Sequence, residues 1–408
     1  MKKGPGFWGG LIAGLLIALA AVIVVLFGES IHNIILGRTD VVSSEDSILS
    51  PAVQEKVDLL NDYIDYYYLD YKEDDNSGET AEDRAEGMYK GLVESLNDDY
   101  SEYYTAKEYS RFSESKKGYF AGIGVNISSS DEGYFYVSGF TSDDSPAKAA
   151  GVEIEDIFYK VDGEVVLGVD ISDLVDKVRG EEGTEVVLTM LRGEDREEVE
   201  VTVKRGIIEA TTVSHNMLEK DTGYIIIGIF DTITSEQFEA AYKDLKEQGM
   251  KSLIIDLRGN SGGMVDAAVK IADELLPPGV VTYTLDSKGK RHDYNAVTPE
   301  KLDIPLVVLV DSGSASASEL LTGAVKDYGI GTIVGTTTYG KGIVQNIYPL
   351  QDGSAIKLTN SRYYTPNGIN IQGTGIEPDV KVELDVEQYK KGTDNQLKKA
   401  IEVVNSSR

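Results

Sequence analysis

The sequence predicts an α/β fold that carries an inserted strand-rich domain, a helical cap and an apolar amino-terminal helix. Three observations predict it. Apolar strands alternate with amphipathic helices over residues 206–380, short strands with glycine turns fill residues 118–205, and 22 uncharged residues lie near the amino terminus. A β-α succession forms a largely parallel sheet, whose ligands bind beyond the carboxyl ends of the strands. Functional residues are therefore expected in the loops after those strands.

The composition excludes several classes of function. The chain has 408 residues, enough for two or three domains with a sizeable core. Its 69 acidic and 39 basic residues give a net charge of -30, which argues against nucleic acid as a partner. Without cysteine there is no disulfide, thiolate ligand or cysteine nucleophile. The three histidines, His32, His215 and His292, are far apart, so we expect no metal or other cofactor and no histidine-based triad.

The amino-terminal stretch FWGGLIAGLLIALAAVIVVLFG, Phe7 to Gly28, is predicted to be a transmembrane anchor, placed at residues 1–28. Its 22 uncharged residues suffice to cross a hydrocarbon core of about 30 Å. A cleaved signal peptide is the alternative, because Ala18 and Ala20 form an A-x-A site, although the apolar run continues beyond it. Lysines before the span and an acidic chain after it predict a single-pass protein of the cell membrane with an extracytoplasmic bulk.

Two segments separate this anchor from the strand-rich block. Residues 29–50 are polar and weakly patterned, and we interpret them as a linker. Residues 51–117 have apolar residues at helical spacing around an acidic loop at 72–80, which predicts a helical cap. The tyrosines of DYIDYYYLDY could stack on bases or sugars, but without a basic patch we interpret them as amphipathic aromatics of these helices.

Residues 118–205 resemble a PDZ domain. GYFAGIGVNISSS places an apolar strand next to a glycine turn, and SPAKAAGVEIEDIFYKVDGEVV predicts a helix, a turn and a hairpin. In this resemblance Gly122, Ile123 and Gly124 form the carboxylate-binding turn. Successive backbone N–H groups there can hold a terminal carboxylate, while the neighbouring strand edge adds the peptide as a strand. The expected partners are proteins with exposed, apolar carboxyl termini.

The predicted core, residues 206–380, has two candidate loops directly after apolar strands. DSGSASASELL follows LVVLV, and its small side chains would let the backbone approach a ligand, although a serine there can equally cap the helix. RGNSGG follows LIIDL and contains G-x-S-x-G, so Ser261 is a rival nucleophile. His292, 31 residues further on, is the only later histidine, which disfavours that rival. The same glycines suit an oxyanion hole instead.

A third segment, GTTTYGKG at residues 335–342, comes within one residue of the phosphate-binding pattern G-x-x-x-x-G-K-[ST]. Gly342 stands where that pattern needs the hydroxyl that binds magnesium. Little ATP is present outside the cell. A nucleotide-binding protein is therefore a competing interpretation that the sequence disfavours.

Taken together, DLRGNSGG, GSASASE and GTTTYGKGIVQ resemble the carboxyl-terminal processing peptidases, the tail-cleaving serine peptidases of family S41. SLNDDYSEYY and GTGIEPDV resemble further segments of that family, so the resemblance covers nearly the entire ectodomain. It implies a ClpP/crotonase-like α/β core with an inserted PDZ domain and a Ser–Lys endopeptidase activity. One departure is Ser261, where many members have proline.

The resemblance also implies the catalytic residues. The nucleophile falls on Ser316, the lysine base 25 residues later on Lys341, and a supporting glutamine on Gln345. Burial lowers the pKa of a lysine, so that its neutral amine can accept the serine proton. If both lie on a strand, Gln345 faces the same side as Lys341 and can orient that amine. The implied oxyanion hole consists of the backbone N–H groups of Gly262 and Ala317.

Three further features keep two interpretations each. Asp327 matches an acidic position that matters in some members, or it belongs to the helix end. Arg179 resembles an arginine that links substrate binding to active-site assembly in members gated by a regulatory protein partner, or it is a solvated surface charge. Residues 381–408 contain a helical pattern that resembles a dimerisation segment, which would make the chain a homodimer. The alternative to a peptidase is a noncatalytic PDZ scaffold that binds protein carboxyl termini.

Overall fold

The computed structural model of this chain describes residues 50–68, 80–116, 118–130, 132–299 and 302–407. The membrane anchor at residues 1–28 and nearly all of the linker lie outside these ranges, so both stay predictions. Within the described ranges, no helix combines the length and the apolar character needed to traverse a bilayer.

The chain divides into two compact units, residues 1–85 and 86–408. In the first, α1 (Pro51–Tyr67) starts with a proline, whose missing N–H costs nothing at a helix start. Arg84, near the end of this unit, pairs with Asp65 at 3.0 Å. Helix α2 (Ala81–Glu94) begins in the first unit and continues into the second.

The second unit begins with part of the predicted helical cap, and the structure corrects that prediction in one place. A short strand, β1 (Glu102–Tyr104), precedes α3 (Ala106–Lys116), where only helices were expected. Its residues pair with strand β18 (Ala355–Tyr364), far along the chain. This long-range pairing, which local spacing does not encode, decides the conformation.

The predicted PDZ domain, residues 118–205, has a strand order of β3-β4-β5-β7-β8, with β6 paired to β5. Strand β3 forms one edge of this sheet, and α5 packs Leu174 and Val178 into the domain core. The elements of this part are β2 (Tyr119–Gly122), β3 (Val125–Ser129), β4 (Phe135–Phe140), α4 (Pro146–Ala150), β5 (Ile157–Val161), β6 (Glu164–Val165), α5 (Ile171–Val178), β7 (Glu185–Arg192), β8 (Glu197–Lys204) and β9 (Gly206–Glu209), which pairs with β2.

The core contains the predicted parallel sheet, with a strand order of β10-β11-β12-β15-β16-β19. Strands β11, β12, β15, β16 and β19 run parallel, and β10 is antiparallel to β11. The elements are β10 (Val213–Leu218), β11 (Thr222–Ile227), α6 (Thr234–Glu247), β12 (Ser252–Asp256), α7 (Val265–Leu275), β13 (Gly279–Asp286), β14 (Arg291–Ala296), β15 (Leu306–Val310), α8 (Ala317–Tyr328), β16 (Thr332–Gly335), β17 (Ile343–Pro349), β18 (Ala355–Tyr364) and β19 (Val380–Lys381), followed by α9 (Val386–Tyr389) and α10 (Asn395–Ser406).

The central strands are buried on both faces, as parallel strands usually are. Leu253 and Ile255 pack into the cluster that contains α6, α7 and α8, whereas Ile254 between them faces the other way. On that second face Ala400 and Val404 of α10 complete the core. The apolar stripe of the carboxyl-terminal segment therefore covers the chain's own sheet. The homodimer stays a prediction, and the helical spacing of this segment no longer supports it.

A second sheet lies beside the core, with an order of β1-β18-β13-β14 and with β17 also paired to β18. Strand β17 is antiparallel to β18, and the ladder shifts register between Val344 and Gln345. The loop that follows β16 enters β17. The GTTTYGKG segment therefore connects the core sheet to the second sheet.

Candidate active site

The three loops singled out in the sequence meet at one edge of the core sheet. Strands β12 and β15 are parallel neighbours, and so are β15 and β16. Their carboxyl ends therefore lie side by side and deliver RGNSGG, DSGSASASE and GTTTYGKG to the same place. The predicted location of the functional loops agrees with this arrangement.

Ser316 is the N-cap of α8 and has an unusual backbone conformation. Its φ of 55° and ψ of -114° place a non-glycine residue in a sparsely populated region, which costs free energy and is held by the surroundings. Gly262 packs against it, since a Cβ on Gly262 would lie 2.8 Å from Cβ of Ser316 and 2.6 Å from the carbonyl oxygen of Ala315. Only glycine fits this approach.

A cavity of about 160 Å³ brings together the three predicted catalytic residues. Ser316, Lys341 and Gln345 all line it. The other lining residues are Ser261, Gly263, Val265, Ala317, Leu320, Ile343, Val344 and Tyr363. Most of these are apolar or small, so the space beside the serine hydroxyl suits a small apolar group.

Glu319, which sequence reasoning did not single out, joins the serine loop to the lysine loop. Its side chain is fully buried, and its carboxylate accepts hydrogen bonds from the N–H groups of Ser316 at 2.9 Å and Lys341 at 2.8 Å. It also accepts from the N–H of Gly340 at 2.7 Å and the hydroxyl of Thr338 at 2.6 Å. One carboxylate therefore fixes the backbones of the candidate nucleophile and the candidate base.

Tyr363 of β18 makes a second connection between the same two residues. Its hydroxyl contacts the carbonyl oxygens of Ser316, at 3.1 Å, and of Lys341. Burial raises the pKa of Tyr363 well above its usual range, so the hydroxyl keeps its proton and donates. Glu319 thus accepts hydrogen bonds from the backbone N–H groups of Ser316 and Lys341, and the Tyr363 hydroxyl contacts the carbonyl oxygens of the same two residues.

The Lys341 amine has the environment that a lysine base needs. Burial, helped by the positive charge of Lys357, lowers its pKa, while Asp98 and Glu319 act in the opposite direction. Nζ lies 4.5 Å from the centre of the Tyr100 ring. A hydrogen bond with Tyr339, together with burial, raises the pKa of Tyr100 to about 12, so that the phenol beside the amine is uncharged.

Within the described residues, no hydrogen bond joins Nζ of Lys341 to the Ser316 hydroxyl or to Gln345. Nε2 of Gln345 instead donates to Oγ1 of Thr359 at 3.1 Å. Lys341 lies ahead of β17, which begins at Ile343, and the register shift at Gln345 interrupts the strand's alternation. The same-face argument for these two residues therefore does not hold, although both line the cavity.

The structure bears on one of the two donors of the predicted oxyanion hole, Gly262 and Ala317. The N–H of Gly262 donates to Oδ1 of Asn260 at 2.8 Å, so it is already engaged in this conformation. Asn260 is fully buried and donates from Nδ2 to the carbonyl of Ile227 at 2.7 Å, which fixes the direction of the turn. Among the described residues, the N–H groups of Gly263 and Ala317 have no acceptor, and both residues line the cavity. This pair is suited to bind an oxyanion.

The remaining site candidates lie in three places. Ser261 lines the cavity, but His292 is on β14 with its ring against Tyr294, and no contact joins it to Ser261 in the described part of the chain. Asp327 accepts the N–H of Asn367 at 2.8 Å at the far end of α8, about 16 Å along the helix from Ser316. Among the described residues no acidic or histidine cluster could hold a metal ion.

The PDZ turn presents a separate site. Ser145 donates to the carbonyl oxygens of Ile123 at 3.1 Å and Gly124 at 2.7 Å, and the N–H of Ala147 also donates to Ile123. With these carbonyls bound inside the domain, the N–H groups of Ile123 and Gly124 have no acceptor among the described residues. Gly122 ends β2 just before them. This turn can receive a carboxylate at the free edge of β3.

Arg179 lies directly after α5, exposed to solvent. Its guanidinium is 4.5 Å from the centre of the Phe120 ring, on the strand that leads into the PDZ turn. The Arg179 side chain therefore contacts a residue close to the peptide-binding turn and is more than an isolated surface charge.

Comparisons with known proteins give a consistent identification. Residues 221–382 match the model of peptidase family S41, and residues 142–192 match a PDZ domain model. The chain is 36% identical over 323 residues to a "Probable CtpA-like serine protease" of Staphylococcus haemolyticus, covering 78% of this chain and 64% of that protein. It is 36% identical over 318 residues to the carboxy-terminal-processing protease of Bartonella bacilliformis, covering 76% and 72%. A crystal structure from Bacteroides fragilis, assigned to the S41 proteases, aligns with a TM-score of 0.50 at 14% identity, over 86% of this chain and 97% of that one, and supports the fold.

Proposed function

Because this chain belongs to peptidase family S41, we propose that it is a serine endopeptidase that binds the carboxyl-terminal tails of proteins through its PDZ domain and cleaves them with Ser316 and Lys341. The observation that carries this proposal is the shared cavity, in which Glu319 and Tyr363 fix both residues. The chain spans about 64% of the length of the staphylococcal relative, so its activity and substrates are proposed on its own residues.

The proposed reaction is acyl transfer. The neutral amine of Lys341 takes the proton of the Ser316 hydroxyl while Oγ bonds to the substrate carbonyl carbon, and the N–H groups of Gly263 and Ala317 bind the oxyanion. The C–N bond then breaks, and the lysine ammonium returns the proton to the leaving amine. Water, deprotonated by the same amine, attacks the ester carbonyl. The lysine ammonium returns this proton to Oγ as the C–O bond to Ser316 breaks, which releases the new carboxyl terminus and restores the serine hydroxyl.

This mechanism requires Lys341 to move its amine from the face of Tyr100 to the Ser316 hydroxyl. Hydrogen bonds of catalytic groups are often long in ligand-free structures and form with substrate bound. Gln345 lines the same cavity, and its Oε1 can then accept a hydrogen bond from the amine while Nε2 stays bound to Thr359.

The test is cleavage of an unfolded protein by the purified full-length chain in detergent. Ser316→Ala and Lys341→Ala should each lower kcat/KM by about 10⁴-fold or more, because both act as one unit. Ser261→Ala should keep cleavage close to that of the parent. Tail binding without any cleavage by the parent would favour the noncatalytic PDZ scaffold, and loss of activity in Ser261→Ala alone would favour the rival nucleophile.

We also propose that the chain is anchored in the cell membrane by residues 7–28, with its catalytic part extracytoplasmic. The support is the uncharged length of that stretch and the lysines before it. Treatment of intact cells with an external protease should remove the described part of the chain and leave a short membrane-bound fragment. Protection of the whole chain in intact cells would contradict this topology.

A further inference from the structure

A second cavity adjoins the one that contains Ser316. Its volume is about 360 Å³, more than twice the 160 Å³ of the catalytic cavity. Gly263 and Gln345 line both, so the two spaces meet beside the glycine turn. The walls of the second cavity include Tyr109, Phe112 and Lys116 of α3 together with Met264, Ile347 and Lys357.

Strand β17 borders both cavities. Ile343, Val344 and Gln345 line the catalytic cavity, and Gln345 and Ile347, which both follow the register shift, line the second one. Past that shift, alternate residues of the strand point to the same side, about 6.6 Å apart. Among the described residues, β17 pairs only with β18, so its other edge has free N–H and carbonyl groups. An extended peptide can bind along such an edge and place alternate side chains on one side.

The charges at the second cavity are neutralised by the chain itself. Lys116 lies 3.6 Å from Asp231, and Lys357 lies 2.7 Å from Glu102. These lysines therefore contribute mainly their aliphatic stems to the wall. Phe112 stacks on Tyr104 with ring centroids 5.2 Å apart, which fixes one side of the cavity. The chemistry left for an occupant is apolar and uncharged.

We propose that this cavity is a second substrate pocket, which binds a large apolar or aromatic side chain of the peptide close to the bond that Ser316 attacks. The proposal rests on the proposed peptidase function. The smaller catalytic cavity takes a small side chain, and the larger cavity takes a bulky one. Cleavage sites should therefore be selected by a small and a large apolar residue at a fixed distance from each other.

The experiment first maps, by mass spectrometry, the bonds that the full-length chain cuts in an unstructured protein. Two peptides are then compared that differ only at the enriched position, one with phenylalanine and one with alanine. The parent should prefer the phenylalanine peptide about tenfold in kcat/KM, because filling an apolar pocket is worth that much. Ile347→Glu and Phe112→Ala should each remove most of this preference. Asn346→Glu, an exposed neighbour on the same strand that lines neither cavity, is the matched control and should keep it.

Thermal unfolding shows whether each variant is folded. If Ile347→Glu does not fold, Phe112→Ala alone tests the pocket. A preference for phenylalanine that survives in the folded variants would overturn the second pocket while leaving the peptidase function intact. If the parent cleaves nothing, binding of the same two peptides to the full-length Ser316→Ala chain decides. Equal affinities there would overturn the pocket, and a preference abolished by the pocket variants would support it. Capture of an apolar partner segment that does not compete with these peptides also counts against a substrate pocket.

Discussion

Two glycine-rich loops of this chain resemble anion-binding loops, and they differ in where the anion comes from. In GTTTYGKG, residues 335–342, the hydroxyl of Thr338 and the N–H groups of Gly340 and Lys341 bind the carboxylate of Glu319, inside the protein. In the PDZ turn, the carbonyl oxygens are bound by Ser145 and the N–H groups have no acceptor among the described residues. The first loop is closed by its own chain, and the second is open to a ligand.

The difference shows why GTTTYGKG looks like a phosphate-binding loop without being one. Its glycines do serve a close approach, since a Cβ on Gly335 would lie 1.9 Å from the carbonyl oxygen of Val310. Its N–H groups do converge on an anion. That anion is a buried side chain at the start of α8, however, so the N–H groups of the loop are occupied by the protein itself and Lys341 lies in the same cavity as Ser316.

The largest effect is expected from removing the internal anion. Glu319→Gln replaces one acceptor oxygen by an NH₂ donor that faces buried N–H groups, and each unsatisfied buried donor costs about 1–3 kcal/mol. Cleavage should fall by at least about 100-fold, and the melting temperature should fall as well. The measurements are kcat/KM on an unfolded substrate and thermal unfolding of the same preparations.

The matched control for this prediction is Glu387→Gln, which removes an exposed carboxylate from α9. It should change neither measurement. If Glu319→Gln cleaved within threefold of the parent, the carboxylate would not be what fixes the two catalytic residues, and the contrast between the two loops would lose its functional meaning.

Glu319 also shows how far sequence reasoning could go. The motif spacing brought Ser316, Lys341 and Gln345 to one cavity because strand order puts their loops at one edge. The pattern S-x-x-E in SASE is a capping-box signal, and it would have predicted the bond from Glu319 to the N–H of Ser316. The bonds to Gly340 and Lys341 depend on the pairing of β15 with β16, which local sequence does not specify.

Other parts of the site had weaker signals. Tyr363 faces the active site because β18 pairs with both β13 and β17, a long-range arrangement. The choice between Gly262 and Gly263 as oxyanion donor depends on the side-chain rotamer of Asn260, which the motif RGNSGG contains but does not explain. The regular β-α elements were predictable from periodicity, whereas these contacts follow from tertiary packing.

The open loop should respond to loss of the residue that binds its carbonyls. Ser145→Ala removes the hydroxyl that donates to Ile123 and Gly124, leaving two carbonyl groups without that partner. The N–H groups of Ala147 and Thr141 still donate to these carbonyls, so the turn loosens without opening, and binding of a peptide with a free carboxyl terminus should weaken about tenfold. Fluorescence anisotropy with a labelled tail peptide measures this, and cleavage of a tailless substrate should be unchanged.

Two controls sharpen the experiment. The same peptide with an amidated terminus should bind the parent weakly and should not distinguish parent from variant. Thr202→Ala removes an exposed hydroxyl from β8 of the same sheet and should keep the parent affinity. Equal binding of free and amidated tails by the parent would show that the PDZ turn does not receive a carboxylate.

A smaller effect is expected on the pH dependence of cleavage. Asp98 raises the pKa of Lys341, and Lys357 lowers it. In the proposed mechanism the neutral amine is the active form, so activity should be low below the lysine pKa and should rise as the pH increases through it. Asp98→Asn lowers that pKa further and should move the acid limb of kcat/KM to lower pH by less than about one unit. Lys357→Gln should move it to higher pH.

The control for this shift is Asp99→Asn, an exposed neighbour of Asp98 that does not act on the lysine. Its profile should coincide with that of the parent. Shifts of Asp98→Asn and Lys357→Gln in the same direction would show that charge at Lys341 does not set the acid limb, and that another group controls the reaction.

The smallest effect concerns Arg179, whose guanidinium lies over Phe120 beside the open loop. If this contact carries the effect of a bound tail, or of a regulatory partner, Arg179→Gln should lower tail-stimulated cleavage about two- to fivefold, the contribution of one exposed cation–π contact. Arg196→Gln is the matched control, because Arg196 makes the same type of contact with Tyr134 at 5.1 Å, outside the carboxylate turn. Cleavage of a tailless substrate should be equal in all three chains. A loss shared by both variants would indicate general loosening of the PDZ domain. A loss confined to Arg179→Gln would show that tail binding at the PDZ turn is coupled to cleavage at the Ser316 cavity.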